Sequence, residues 1–513
     1  MSTASENNKR IVKNTAFLYL RMLLVMAVSL YTSRVILQAL GADDFGLYSV
    51  VGGIVALFSI ISGSLSSAIS RFLTFGLGKG DIPQLKKIFA NSIFIQIALI
   101  VCVLVLLVPL AIWFINNKMT IPTGMYNAAY WVFAFSVATF CINLLSVPYN
   151  AAIISHERMS VFSVVSIIDV LIKLGITFMI MAFNSDRLII YAALVFLSSL
   201  VIQSIYMTYC RHHFEECKTR IGYDKSLLKE IGSFAGWNFI GSASMIMRNQ
   251  GNNVLLNVFF GTLANAAYAI CMQVNNAVTQ LSNNFMTSVN PQITKYYAQN
   301  NIKECVNLMF RSSRMSFYLT WILASIILLN TECILSIWLV NVPDNTAAFV
   351  RLVTILSLID AISIPLITGM LATGNIRNYQ FVVGGLQMFN LPLSYLALKL
   401  GAAITSPLSI AIWISAACLI SRLIMLKRLI PFSIKEFIVQ VLLRDIKVVM
   451  ISLLIPISII LFLSSAHSIL ELTWQSIICF TCVSFSIYYF GCTRQERGFI
   501  AEKLITAIHK LFK

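Results

Sequence analysis

Apolar runs recur along nearly the whole chain, separated by short polar or charged segments. Each is about 20 residues long, the length that crosses a hydrocarbon core roughly 30 Å thick. They predict fourteen transmembrane helices, at 14–38, 45–70, 88–115, 124–153, 160–183, 187–210, 231–258, 262–290, 315–338, 347–372, 378–399, 405–427, 447–465 and 471–491. The polar leader from Met1 to Lys13 runs into a first span too long for a signal-peptide core. That helix is therefore read as uncleaved, and the fold class as an all-α polytopic membrane protein.

Composition agrees. Of 513 residues, 58% are hydrophobic and 11% charged, with a mean hydropathy of +0.83, against about 45–50% and 25% in an ordinary soluble domain. A soluble fold could not hide that much apolar surface. The 11 cysteines lie mostly in apolar spans, including Cys479 and Cys482 in the last one, and read as small hydrophobes.

The net charge of +17 raises the question of nucleic acid, and the placement of the basic residues answers it. Of 37 Lys and Arg, 28 fall at the termini and in every second loop, from Lys9, Arg10 and Lys13 through Arg211, Lys218 and Lys229 to Arg494 and Lys513. The opposite loops hold only Lys118, Arg187 and Lys399, beside Asp43, Asp44, Asp186, Asp344 and Glu471. This asymmetry marks one membrane face, so both termini are expected on the cytoplasmic side and no nucleic-acid partner is implied.

The chain also repeats itself. An offset of 220 residues aligns 14–89 with 234–309, pairing Leu40-Gly41 to Tyr48 with Phe260-Gly261 to Tyr268, and Ser59, Ser62 and Ser67 with Thr279, Ser282 and Thr287. An offset of 217 then lays Asn143 to Pro148 on Asp360 to Pro365. Six helices separate the copies, so both keep one orientation about an axis along the membrane normal. The expected plan is an N-lobe at 1–210, a linker at 211–229 and a C-lobe at 230–430, with a substrate cleft at the lobe interface. Extra helices at 431–493 and an amphipathic tail at 494–513 follow; an interfacial or an ordinary terminal helix explains that tail equally well.

Charges within a span cost about 2.5–3.5 kcal/mol at the bilayer centre, so they usually face a cavity or a partner. The candidates are Arg21, Arg34, Asp169, Lys173, Arg248, Arg351 and Asp360. Arg21 and Arg34 could snorkel to opposite interfaces, and Arg351 suits an interfacial anchor. Asp169 and Lys173 stand four residues apart, which allows an ion pair on one helix face as well as contact with substrate or proton. The run Arg248-Asn249-Gln250-Gly251-Asn252-Asn253 holds no hydrophobic side chain in mid-span. In the next span Gln273, Asn276, Gln280, Asn283 and Asn284 form a polar stripe at helical spacing. Interhelical hydrogen bonds could account for such a stripe, while Arg248 beside it points to a watery cavity.

These groups suggest an anionic, hydroxyl-rich cargo, because guanidinium forks bind phosphate oxygens in pairs and amides both donate and accept. The substrate-binding candidates are Arg21, Arg34, Lys173, Arg248, Asn249, Asn252, Gln273, Asn276 and Gln280, and the ion-coupling candidates Asp169 and Asp360. Moving an anion outward releases about 2.3 kcal/mol per charge per 100 mV. The sequence contains no G-x-x-x-x-G-K-[ST] loop and no H-E-x-x-H, so no cofactor, metal or catalytic residue is assigned.

The stretch Thr32 to Tyr48, the Pro148-Tyr149-Asn150-Ala151 and His156-Glu157-Arg158 motifs, and the twelve-plus-two helix plan resemble a known group. It is the polysaccharide-transporter branch of the multidrug/oligosaccharidyl-lipid/polysaccharide (MOP) exporter superfamily, the Wzx-type O-antigen flippases. The resemblance covers essentially the whole chain. It implies a MATE-like fold in the bacterial inner membrane, with a cationic lumen between two six-helix lobes. The implied cargo is an undecaprenyl-pyrophosphate-linked oligosaccharide, with proton or sodium as a coupling ion. Membrane lipid, a polysaccharide polymerase and a chain-length regulator are the partners it suggests. Two competitors fit less well. A cation-coupled MATE-type antiporter would carry an acid in the first span, which here has Arg21 and Arg34. A membrane sugar polymerase needs outer loops longer than these, which run to about ten residues or fewer.

Overall fold

The computed structural model describes residues 2–40, 48, 59–117, 126–182, 186–219, 222–339, 342–463 and 468–498. The start of the second expected span and most of the tail at 494–513 lie outside the described residues. Among those described, the chain is helical throughout. The helices are α1 Ser2–Leu40, α2 Ser59–Lys79, α3 Ile82–Asn117, α4 Tyr126–Ser155, α5 Met159–Ile180, α6 Arg187–His213, α7 Lys225–Phe260 and α8 Thr262–Ala298. They continue with α9 Ile302–Leu329, α10 Thr331–Trp338, α11 Thr346–Thr373, α12 Arg377–Lys399, α13 Ser406–Lys427, α14 Leu443–Leu463 and α15 Ile469–Ser486.

Ten of the described segments are long and apolar enough to cross a membrane. The four expected spans not among them are α2, α7, α8 and α14. In α7 and α8 the amide-rich runs dilute the apolar stretch, and the spans containing α2 and α14 extend into undescribed residues. Outward apolar side chains match a lipid setting: Val105, Val258 and Trp413 are 65%, 70% and 77% exposed, which water would penalise and hydrocarbon does not.

The chain divides into two units, one of 1–242 with 287–300 and the other of 243–286 with 301–513. The division falls inside α7 and α8. In the first unit α4 packs on α6 and α2, and α1 on α5. In the second unit α11 packs between α9 and α13, while α14 and α15 pack on each other and on α9.

The repeat read from the sequence reappears in the packing. One cluster of the first unit buries Ile36, Val132, Phe133 and Tyr191, with Tyr48 against it. One cluster of the second buries Leu256, Phe349, Val350, Leu408 and Tyr268. Offsets of 220 and 217 carry the first set onto the second, residue by residue. Tyr48 meets Tyr191 edge-on at 5.1 Å and Tyr268 meets Phe349 edge-on at 6.5 Å. Pro148 in α4 and Pro365 in α11 sit inside their helices at matched places.

Candidate functional site

Five helices of the second unit, α7, α8, α11, α12 and α13, line a cavity of 290 Å³. From α7 come Arg248, Asn249 and Asn252, which share a face because residues four apart lie one turn above each other. The face of α8 supplies Tyr268, Asn275, Asn276, Thr279, Ser282 and Asn283. Ser357, Asp360 and Ser363 come from α11, Gln387 from α12 and Arg422 from α13.

Arg248 is 6% exposed, and its Nη2 lies 3.4 Å from Asp360 Oδ2. Its Nε donates to Asn249 Oδ1, also at 3.4 Å. Charge-assisted N–H···O bonds usually close to about 2.7–2.9 Å, so this guanidinium is loosely held. Ser415 Oγ donates to the other oxygen of Asp360. Ser357 Oγ donates to Asn275 Oδ1 at 2.6 Å, and Tyr268 OH to the Asn249 carbonyl at 3.1 Å. These bonds fix the wall without filling its capacity. Asn252 Oδ1, Ser363 Oγ and Arg422 Nη1 are buried without a hydrogen-bond partner among the described residues. Each such group costs about 1–3 kcal/mol, and three of them line one cavity. Two guanidiniums against one carboxylate leave that lining with a net positive charge.

Of the residues expected from sequence, the structure brings Arg248, Asn249, Asn252, Asn276 and Asp360 together. Gln273 and Gln280 are exposed and do not line the cavity. The inward face of α8 is set by Asn275, Thr279 and Ser282, about one residue to the side of the amide stripe. In the first unit Arg21 lies over the Phe162 ring at 4.7 Å, and Lys173 pairs with Asp169 at 2.8 Å. Arg34 lies in α1, and its side chain is outside the described residues. Arg351 pairs with Glu332 at 2.6 Å, both exposed, which answers its charge locally.

Sequence reasoning missed Arg422. The signal was there: the 37 Lys and Arg divide into 28 on one face, three on the other and five assigned within spans, which leaves this one. Arg422 also follows Ser415 by seven residues, two helical turns along one face of α13. The repeat sharpens the contrast between the units. Arg248, Asp360 and Arg422 correspond by offset to Val28, Asn143 and Ile205. The copies share their packing, and only the second has charges at these positions.

Solved structures place the architecture. An outward-facing multidrug resistance MATE family transporter of the MOP superfamily superimposes with a TM-score of 0.69 at 11% identity, over 82% of this chain and 95% of that one. A MATE in the bent conformation gives 0.70 at 11% identity, over 82% and 96%. A MOP superfamily transporter from Pyrococcus furiosus Vc1, described as having a binding pocket of reverse polarity, gives 0.65 at 12%, over 81% and 96%. The fold is thus that of the MOP-superfamily transporters, in a chain with ten described segments long and apolar enough to cross a membrane. Residues 11–297 match the family described as polysaccharide biosynthesis protein. The chain belongs to that family. The membrane protein EpsK of Bacillus subtilis, described as uncharacterized, is 22% identical over 324 residues. That match spans 62% of this chain and 63% of the relative's length.

Proposed function

We propose that this protein is a flippase. It carries an anionic undecaprenyl-pyrophosphate-linked oligosaccharide, an O-antigen or capsule repeat unit, from the cytoplasmic to the outer leaflet of the bacterial inner membrane. The observation that carries this reading is the loosely held Arg248 in a cavity lined by amides and hydroxyls. A flat hydrophobic drug would leave those groups unpaired, whereas sugar hydroxyls and an anion match them. Arg21, Arg34 and Lys173 are proposed as further contacts along the path. The excess of Lys and Arg in alternate loops supports a cytoplasmic position for both termini, and outward movement of an anion then runs down the membrane potential. Alternating access between the two repeats provides the route, with proton or sodium as coupling ion. A polysaccharide polymerase and a chain-length regulator would receive the product.

A second reading, a cation-coupled antiporter of the MATE type, draws on Asp360, the single acid lining the cavity among the described residues. The net positive lining favours the flippase.

The deciding experiment replaces Arg248 with Ala and measures lipid-linked oligosaccharide on the cytoplasmic leaflet, alongside protein level. Accumulation with lost surface polysaccharide is expected. Arg248→Lys should recover part of the export, because an ammonium keeps the charge and loses the fork. Normal export by well-expressed Arg248→Ala protein would remove the residue-level support.

A further inference from the structure

We infer that the cavity of the second unit is a subsite for one hydroxylated ring carrying a single negative charge, with Arg422 as the donor to its anionic group. The inference rests on the flippase reading and names what this one site recognises.

The guanidinium of Arg422 is 3% exposed. Its Nε donates to Tyr379 OH at 3.1 Å, which fixes the plane of the fork, while Nη1 lines up with no partner among the described residues. Arg248 already has Asp360 for a counter-ion. Arg422 is therefore the cation with an uncommitted donor. With Asp360 the only acid in the lining among the described residues, the site holds one unbalanced positive charge there, enough for a single anion.

Two other buried groups say what the anion is attached to. Asn252 Oδ1 can accept and Ser363 Oγ can both donate and accept; each residue is 1% exposed, and neither atom has a partner among the described residues. Such a pair is complementary to ring hydroxyls. Size sets the limit: 290 Å³ falls just below the range of about 300–1,000 Å³ for small-molecule pockets, so it admits one ring and not a chain of them. The wall around Arg422 is also irregular in a telling way. Directly after Tyr379, α12 makes a π-turn at Gln380–Gly384, a helix defect that concentrates at functional sites. Cys418 Sγ reaches the Val383 carbonyl within that turn at 3.8 Å.

The same chemistry has two sources, the carboxylate of an acidic sugar or a phosphate ester on a neutral one. Full-length protein purified in detergent would be titrated with methyl glucuronide, glucose 1-phosphate as its singly charged methyl ester, methyl glucoside and inorganic phosphate, with thermal stabilisation as a second readout. At least one charged ring should bind about tenfold more tightly than either the neutral ring or inorganic phosphate. Tighter binding of the glucuronide assigns the site to a sugar carboxylate, and tighter binding of glucose 1-phosphate to a phosphate beside the sugar. Arg422→Gln should weaken the charged ring by about tenfold or more and change the neutral one by less than about twofold. Ser363→Ala should weaken both rings together, and it tests the hydroxyl half of the site should Arg422→Gln fold poorly. Unchanged binding in folded Arg422→Gln, or equal binding of methyl glucoside or inorganic phosphate, would overturn the assignment. Normal export by Arg422→Gln beside blocked export by Arg248→Ala would remove this subsite and leave the flippase reading standing.

Discussion

Glu157 Oε1 and Lys295 Nζ stand 2.5 Å apart across 138 positions of sequence. Glu157 occupies the turn between α4 and α5 with a left-handed φ of 60°, and its side chain is 1% exposed. The same carboxylate takes Arg10 Nε at 3.1 Å and the Gln292 amide, while its backbone carbonyl accepts from Asn14 Nδ2 at 3.0 Å. One residue thus ties α1 and the end of α8 to a turn of the first unit. Burial alone would drive the Lys295 ammonium down from its ordinary pKa, and the attraction of Glu157 offsets only part of that.

Glu157→Gln keeps the shape and removes the counter-charge. Breaking a buried pair by losing one partner costs about 3–5 kcal/mol, so the melting temperature of the purified protein should fall clearly. Adding Lys295→Met should restore part of the loss, because it removes the ammonium left without its counter-charge. An unchanged melting temperature in the single variant would show that the cluster contributes nothing to stability.

Gly78 of α2 lets the same end of α8 approach. A Cβ placed there would meet Ala298 Cβ at 2.7 Å and the Lys295 Cα at 3.1 Å. Gly78→Ala should therefore destabilise by about 1–3 kcal/mol, the usual cost of overpacking. Ala298→Gly in the same chain should relieve it, and thermal unfolding of the two proteins would show whether it does.

Outside the spans, the Glu216 carboxylate accepts from His156 Nε2 at 2.6 Å, and the His156 ring stacks on Phe214 at 4.0 Å. Burial works against ionisation of Glu216, but the His156 hydrogen bond, its own backbone N–H and the charges of His156 and Lys86 together hold its pKa below the ordinary value. A depressed folded pKa means stabilisation that is fully present above the unfolded carboxylate range and is lost as pH falls through the folded value. Melting temperatures taken from pH 6 down to about pH 3, through and below the ordinary carboxylate range of about 4.3, should therefore decline more steeply for the native protein than for Glu216→Gln. Parallel profiles would exclude this contribution.

Asp360 faces Arg248 across 3.4 Å and accepts from Ser415. Asp360→Asn should weaken the dependence of export on the proton gradient, if the carboxyl exchanges a proton during the cycle. Export assayed in vesicles with and without an imposed gradient decides it, and the same dependence in both proteins would leave Asp360 as a structural counter-ion.

The sequence by itself determined that the chain lives in a membrane, that it is helical, and that it is built from two copies of one scaffold. These properties are written in one dimension. Apolar run length is measured along the chain, and a duplication leaves matched residues such as Tyr48 and Tyr268 at a constant offset. The importance of Arg248 was also legible, because an arginine amid amides in mid-span is costly wherever the helix sits. The i, i+4 ion pair of Asp169 and Lys173 needed only helical geometry. What the tertiary structure decided is which polar groups meet. Helical rotation turned Asn275 and Ser282 inward and left Gln273 and Gln280 exposed, a shift of about one residue that periodicity does not fix. The partnership of Arg248 with Asp360, the hold of Glu157 on Lys295 and the bond of Arg422 Nε to Tyr379 each join helices apart in sequence. Whether a buried charge is answered or left open depends on neighbours that only packing supplies.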